Sequence, residues 1–239
     1  MSATRKVYEW LKTAQHYLYP PLCTLCGRPG CRPYDLCSGC LGDLPRNDSC
    51  CRCCGIPLEA EGLICGPCSR KPPPFERSII PFRYAPPLDH LLQQLKFHRR
   101  LHLAPLLGEL LAEAVQREGG ERPALLLPVP MSRSRIRERG YNQALELAGT
   151  LSRSLSIPLD WRQCQRVRNT PAQTSLTRSE RRSNLRGAFA VKGRLPHHVA
   201  IVDDVVTTGT TVTEFARTLR RAGVGRVEVW ACARSGGRY

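Results

Sequence analysis

The chain has 239 residues, 41% of them hydrophobic, with 36 Lys and Arg against 20 Asp and Glu and a formal charge of +16. That length gives room for one good core plus a small extra module, which makes a soluble globular protein the default; no apolar run approaches the length of a membrane span. The basic surplus points to an anionic partner or substrate.

The first twenty residues hold one basic pair but no continuous apolar region, so they do not read as a secretory signal, and a cytoplasmic location is expected. Val7, Trp10, Leu11, Ala14 and Leu18 fall at helical spacing, which predicts an amphipathic helix over residues 5–19. A cysteine repeat follows. Cys23-Thr-Leu-Cys26-Gly27 leads to Cys37-Ser-Gly-Cys40, and every element recurs 28 positions later as Cys51-Arg-Cys-Cys54-Gly55 and Cys65-Gly-Pro-Cys68. The register selects these eight and leaves Cys31, Cys50, Cys53, Cys164 and Cys232 as free thiols, although Cys50 and Cys53 share the C-x-x-C spacing. Two such pairs joined by a short loop suit four thiolates around zinc, each pair forming a knuckle relieved by the glycine after it. Two structural zinc ions are therefore expected, and the same ligands serve either one ion per repeat or a cross-braced arrangement. Counting the ligating thiols as deprotonated, two zinc sites bring the formal charge down to about +12.

Lys71-Pro72-Pro73-Pro74 reads as a stiff linker and places the domain boundary at residue 74, giving a zinc module over 1–74 and a second domain over 75–239. Ser78 to Tyr84 reads as a strand. Leu88, Leu91, Leu92 and Leu95 mark a helix ending in Lys96-Phe-His-Arg-Arg100; Lys96 is the only lysine in a plausible active-site approach, although a lone lysine there is more often a solvated helix end, and a second helix runs from about Ala104 to Val115. Ala124 to Pro130 is a buried strand; Ala144, Leu147, Ala148, Leu151 and Leu155 define the next helix. Between them lies a loop with Arg133, Arg135, Arg137 and Arg139. Residues 132–186 hold 12 Arg, no Lys and four acids, a surplus of +8. Ala190 and Val191 read as a strand, and a last strand is expected from Arg226 to Ala233. The alternation of strands and helices predicts an α/β fold, a parallel sheet flanked by helices.

Val199 to Val202 is a β-branched run suited to a strand buried on both faces. It ends in Asp203 and Asp204, then Val205, Val206, Thr207, Thr208, Gly209, Thr210 and Thr211, before a helix with Val212, Phe215, Ala216, Leu219 and Ala222 on one face. In open α/β sheets ligands bind at the carboxyl ends of strands, where such a loop opens into a helix N-terminus and its backbone N–H groups can surround a phosphate. The string resembles, without a gap, the 5-phosphoribosyl-1-pyrophosphate (PRPP) signature of type I phosphoribosyltransferases. That resemblance implies that Asp203 and Asp204 hold the ribose hydroxyls, that residues 207–211 wrap the 5-phosphate, that the arginines at 133–139 bind pyrophosphate, and that magnesium accompanies PRPP. It also implies a flexible loop over the site, for which residues 169–189 are the candidate.

The order of motifs, from the double zinc ribbon through Tyr84-Ala-Pro-Pro-Leu88, Gln94-Leu-Lys-Phe97 and Arg139-Gly-Tyr-Asn-Gln143 to the PRPP signature, resembles the ComF/GntX proteins over nearly the whole chain. The resemblance implies a role in natural competence or the use of external DNA, and proteins of the DNA-uptake machinery as partners. It does not supply a reaction, since function belongs to the site. Three readings stay open: a magnesium-dependent phosphoribosyltransferase, an adaptor whose zinc ribbons and arginines bind single-stranded DNA while the transferase fold senses PRPP, and a zinc module that serves as a protein docking surface. Tyr141, Trp161 and Phe189 are the aromatic residues that interleave with the arginines.

Overall fold

The computed structural model describes residues 22–31, 34–59, 64–168 and 185–236. The helix expected over 5–19 and most of the candidate mobile loop, residues 169–184, lie outside them. The chain divides into two compact units, residues 1–44 and 45–239. The smaller holds the first cysteine group and the short helix α1 (Ser38–Gly42). The larger begins with the second cysteine group, whose last pair sits on α2 (Gly66–Arg70).

The body of the larger unit is a parallel sheet. Its strands are β1 (Arg77–Ile79), β2 (Phe82–Arg83), β3 (Leu125–Pro128), β6 (His198–Val206) and β7 (Arg226–Arg234), in the order β1-β7-β6-β3 with β2 also paired to β7. Helices α3 (Leu88–Phe97), α4 (Leu103–Glu118), α6 (Gln143–Leu155) and α7 (Thr210–Arg221) supply apolar faces. In α3 the leucines at 88, 91, 92 and 95 are all buried, the stripe that its periodicity predicts. Val199, Ala200, Ile201 and Val202 of β6 are completely buried, as expected of a central parallel strand.

Several elements differ from the sequence expectation. The strand expected over 78–84 is split into β1 and β2, because Pro81 has no N–H to continue the ladder. The arginine loop is folded into a seven-residue helix, α5 (Arg133–Arg139). The strand at 190–191 is β5 (Phe189–Val191), which joins β4 (Cys164–Arg166) in a separate antiparallel pair. The central strand does not stop before the two aspartates but runs on to Val206.

At the amino-terminal edge of the sheet the fully buried Glu228 is surrounded by donors. Its carboxylate takes hydrogen bonds from His198 Nε2 at 3.1 Å, Arg226 Nη2 at 3.2 Å and the Trp230 indole N–H at 3.1 Å, and forms an ion pair with Arg77, whose Nε lies 3.0 Å away. A buried charge on this scale persists only when its lone pairs are filled. Glu228→Gln keeps the shape but weakens the charged hydrogen bonds, so a loss of about 1–3 kcal/mol is expected in a denaturant titration.

Candidate functional site

The cysteines selected by the 28-residue register form two clusters, Cys23-Cys26-Cys37-Cys40 and Cys51-Cys54-Cys65-Cys68, with the sulfurs of each lying within 4.8 Å of one another. Each repeat thus assembles its own site, and no ligand crosses between them. The Cys26–Cys37 and Cys54–Cys65 sulfurs are both 3.6 Å apart. A zinc–sulfur tetrahedron has edges of about 3.8 Å, so both clusters fit zinc and neither is a disulfide. Within each cluster the thiols differ: backbone N–H groups lower Cys23 and Cys51, while burial pushes Cys54 up to about 12. Burial pushes the Cys23 thiol up, but the N–H groups of Cys37, Cys26 and Leu25 outweigh it and bring the thiol to about 6; Cys51 reaches about 7 in the same way, with Cys65, Cys54 and Cys53 as donors.

The second centre lies at the carboxyl edge of the sheet. Pro128 of β3 pairs with Val202 of β6, and the Val129 N–H donates to the Val202 carbonyl at 2.9 Å, which sets the chain entering α5 beside Asp203. The Asp203 Oδ1 accepts from the Asp204 N–H and the Asp204 Oδ1 from the Val205 N–H, each at 2.9 Å. Beyond Val206, the Thr208 and Thr210 hydroxyls are 2.8 Å apart, and Gly209 takes φ +73°, a left-handed conformation that lets the chain turn into α7.

Lys96 corrects the sequence reading. It is no solvated helix end: its Nζ lies 3.1 Å from Asp204 Oδ2, and the Asp204 residue is 7% exposed. The Asp204 carboxylate holds Lys96 above the usual lysine range, against the cost of desolvation, while Asp203 adds to the effect and Arg139 opposes it. Burial pushes Asp203 up to about 8; Asp204 reinforces this and Lys96 resists it.

The four arginines do not act alike. Arg135 and Arg139 are half-buried on one face of α5, and their charges reach Arg166 and Lys96 respectively, whereas Arg133 and Arg137 are exposed. Arg139 also stacks over Phe97 at 5.3 Å. The segment after α5 fixes its place: Gly140 ends the helix, the Tyr141 hydroxyl donates to the Leu95 carbonyl, and Asn142 donates to the Val129 carbonyl at 3.1 Å while capping α6. Burial and Arg135 lower the pKa of Arg166 in β4, and Asp203 counters them. Sequence reasoning missed Arg166 and misjudged Lys96, although Lys96 stands four residues after the buried Leu92 and so on the flank of the apolar stripe. Phe189 is 5% exposed within the core and offers no stacking platform; Trp161 is 53% exposed and carries Arg162 at 5.0 Å.

The fold and this edge, with an acidic pair and a threonine-glycine loop ahead of a helix, define a phosphoribosyltransferase-type domain preceded by a double zinc ribbon. Family models agree: one described as a double zinc ribbon domain matches residues 14–69, and one described as a phosphoribosyl transferase domain matches residues 142–238. The chain is 40% identical over 225 residues to the DNA utilization protein YhgH of Escherichia coli O157:H7, covering 90% of this chain and 98% of that one. It is 36% identical over 208 residues to competence protein F of Haemophilus influenzae, covering 84% and 90%. The chain belongs to this ComF/YhgH family of competence and DNA-utilisation proteins. Similarity extends to competence protein ComFC of Streptococcus pneumoniae, at 24% identity over 157 residues, 64% of this chain and 66% of that one. No helix among the described residues is long and apolar enough to cross a membrane.

Proposed function

We propose that the larger unit binds PRPP or a closely related phosphoribosyl compound, and that it does so in the service of DNA uptake or utilisation, the role that the names of its relatives carry. The observation that bears most weight is the Lys96–Asp204–Asp203 cluster at the mouth of the Thr207–Thr211 loop. Asp203 and Asp204 offer acceptors for a ribose diol, and the loop N–H groups with Thr208 and Thr210 offer donors to the 5-phosphate. On this reading the half-buried Arg135 and Arg139 bind pyrophosphate, with the exposed Arg133 and Arg137 adding positive charge around them. Magnesium suits this oxygen-rich pair, and when bound it neutralises pyrophosphate charge. Lys96 already offsets Asp204, which leaves Asp203 as the carboxylate with capacity to meet ligand or cation.

On this reading the functional division falls at residue 74, between a zinc module and a ligand-binding domain. A transfer reaction needs an acceptor, and PRPP recognition without one describes a sensor equally well. The exposed Trp161 with Arg162 stacked on it favours single-stranded DNA as a second ligand, since aromatic and cationic groups together bind bases without sequence readout. Arg178, Arg181 and Arg182 of the arginine stretch lie outside the described residues.

PRPP with magnesium is expected to raise the melting temperature of the wild type by linkage, and Asp203→Asn to lose most of that rise. Differential scanning fluorimetry across a PRPP series checks this. No rise at millimolar PRPP would mean that the signature no longer binds its ligand. Pyrophosphate release assayed against a panel of bases and amines then separates transferase from sensor.

A further inference from the structure

The second zinc knuckle is held through four successive carbonyls, three of them bonded to strands of the sheet. The Arg52 carbonyl accepts from the Ser78 N–H at 3.1 Å, Cys53 from the Ser78 hydroxyl at 2.8 Å, Cys54 from Arg234 Nε at 3.0 Å, and Gly55 from Asn47 Nδ2 at 2.9 Å. Gly55, at φ +67°, lies so close to Ile80 that a Cβ there would come within 2.7 Å of its Cδ1. The knuckle therefore has little freedom to shift while its backbone stays folded.

One of these stitches leads elsewhere. Arg234 ends β7 and is 6% exposed. While its Nε holds the carbonyl of the zinc ligand Cys54, its Nη1 donates to the carbonyls of Val206 at 3.0 Å, of Ser235 at 2.6 Å and of Thr207. Val206 and Thr207 are the entry to the threonine-glycine loop. A single buried guanidinium thus spans from a metal ligand to the first carbonyls of the phosphate loop, and among the described residues its hydrogen-bond partners are all carbonyls. A zinc tetrathiolate carries a charge of about −2, so the filled metal site is the natural counter-charge for it. A cavity of about 1010 Å³ opens beside this contact, lined among others by Cys54, Cys65, Thr208, Gly209 and Arg234, which gives the loop room to change shape if the contact is released.

The geometry points to Arg234 as a positioning residue through which the second zinc site holds the phosphate loop in its binding conformation. This rests on the reading of residues 207–211 as the 5-phosphate loop. Coupling between two sites is reciprocal: if the metal site orders the loop, a phosphate on the loop must stabilise the metal site by the same factor. Lysine cannot replace arginine here, because only the guanidinium fork has donors diverging enough to reach both sides.

The test uses the full-length zinc-loaded protein, with ribose 5-phosphate as probe and zinc release to a chelator as readout. Saturating ribose 5-phosphate is expected to slow release of one zinc equivalent by about tenfold, within the usual range of allosteric coupling, and to leave the other unchanged. Arg234→Lys should abolish the slowing and weaken ribose 5-phosphate binding by about tenfold. Ser78→Ala, which removes a stitch that does not touch the loop, should retain the slowing. Hydrogen exchange gives a ligand-free arm: amides of residues 206–211 should exchange faster in Arg234→Lys, or in wild type stripped of zinc if that variant does not fold. Unchanged exchange at 206–211, or slowing that persists in Arg234→Lys, overturns the inference. If wild type binds no ribose 5-phosphate, the phosphate-loop reading fails, and the exchange arm alone still decides the role of Arg234.

Discussion

Cys51→Ser is expected to collapse the second zinc ribbon and lower zinc content from two equivalents per chain to one, whereas Cys50→Ser keeps both ions and the wild-type melting temperature. Cys51 is completely buried and its sulfur accepts from the Cys65 N–H at 3.3 Å, so a serine there loses a zinc bond with no water to replace it. Binding of structural zinc to small cysteine modules is worth about 10–16 kcal/mol, which makes this the largest single effect expected of any substitution in the chain. Cys50 has the same C-x-x-C spacing, to Cys53, but its sulfur lies outside both clusters. The damage should also spread beyond the ribbon, because the carbonyls of residues 52–55 accept hydrogen bonds from Ser78, Arg234 and Asn47. Metal analysis with thermal unfolding of the two variants checks this, and equal damage from both would show that the ligand frame is off by one cysteine.

The reach of sequence reasoning follows from the kind of signal each feature leaves. The zinc ligands were legible because a repeat fixes the frame, and the central strand, loop and helix from His198 to Arg221 because a β-branched run, a glycine turn and a helical stripe follow one another. Helix α5 left no such trace: it buries no residue, so its arginines show no apolar periodicity and read as loop. Strand β4 is three residues long, too short for an alternation to register, and among the described residues it pairs with β5 alone. The span of β6 was underestimated because Asp203 and Asp204 interrupt its apolar pattern, yet Asp203 still keeps register with Ala231. Lys96 and Arg234 were illegible for a different reason. Each is a basic residue at the end of an apolar element, where a solvated head group is the usual outcome; what redirects them is a partner far away in sequence. Asp204 is brought to Lys96 by the sheet, and Cys54 stands 180 positions from Arg234. No local pattern carries that information, because it arises only when the topology is assembled.

That assembled arrangement predicts how ligand affinity varies with pH. Asp203 is pushed up to about 8 by burial first and by the neighbouring Asp204 second, with Lys96 opposing, and the shift belongs to the acidic pair as a unit. In the ligand-free protein at neutral pH this carboxyl is therefore largely protonated, while a cation or a ribose diol held by charge-assisted hydrogen bonds calls for the carboxylate. Binding must expel the proton, so affinity for PRPP with magnesium is expected to rise with pH and level off above about 8, by roughly 50-fold between pH 6 and pH 8. The sign for stability is opposite. Since the folded-state value lies above the ordinary 3.8, the native state holds a proton that the unfolded chain releases, and wild-type stability falls as pH rises from about 4 to about 8. Asp203→Asn removes that proton from both states and leaves the Lys96–Asp204 pair in place. The variant should therefore melt increasingly above wild type across this window, reach a constant advantage beyond it, and show weak, pH-independent ligand binding. Calorimetric titration at pH 6, 7, 8 and 9, with melting curves of both proteins at the same values, reads both slopes at once. A flat affinity profile in the wild type would show that Asp203 is already ionised and that Lys96 compensates both aspartates.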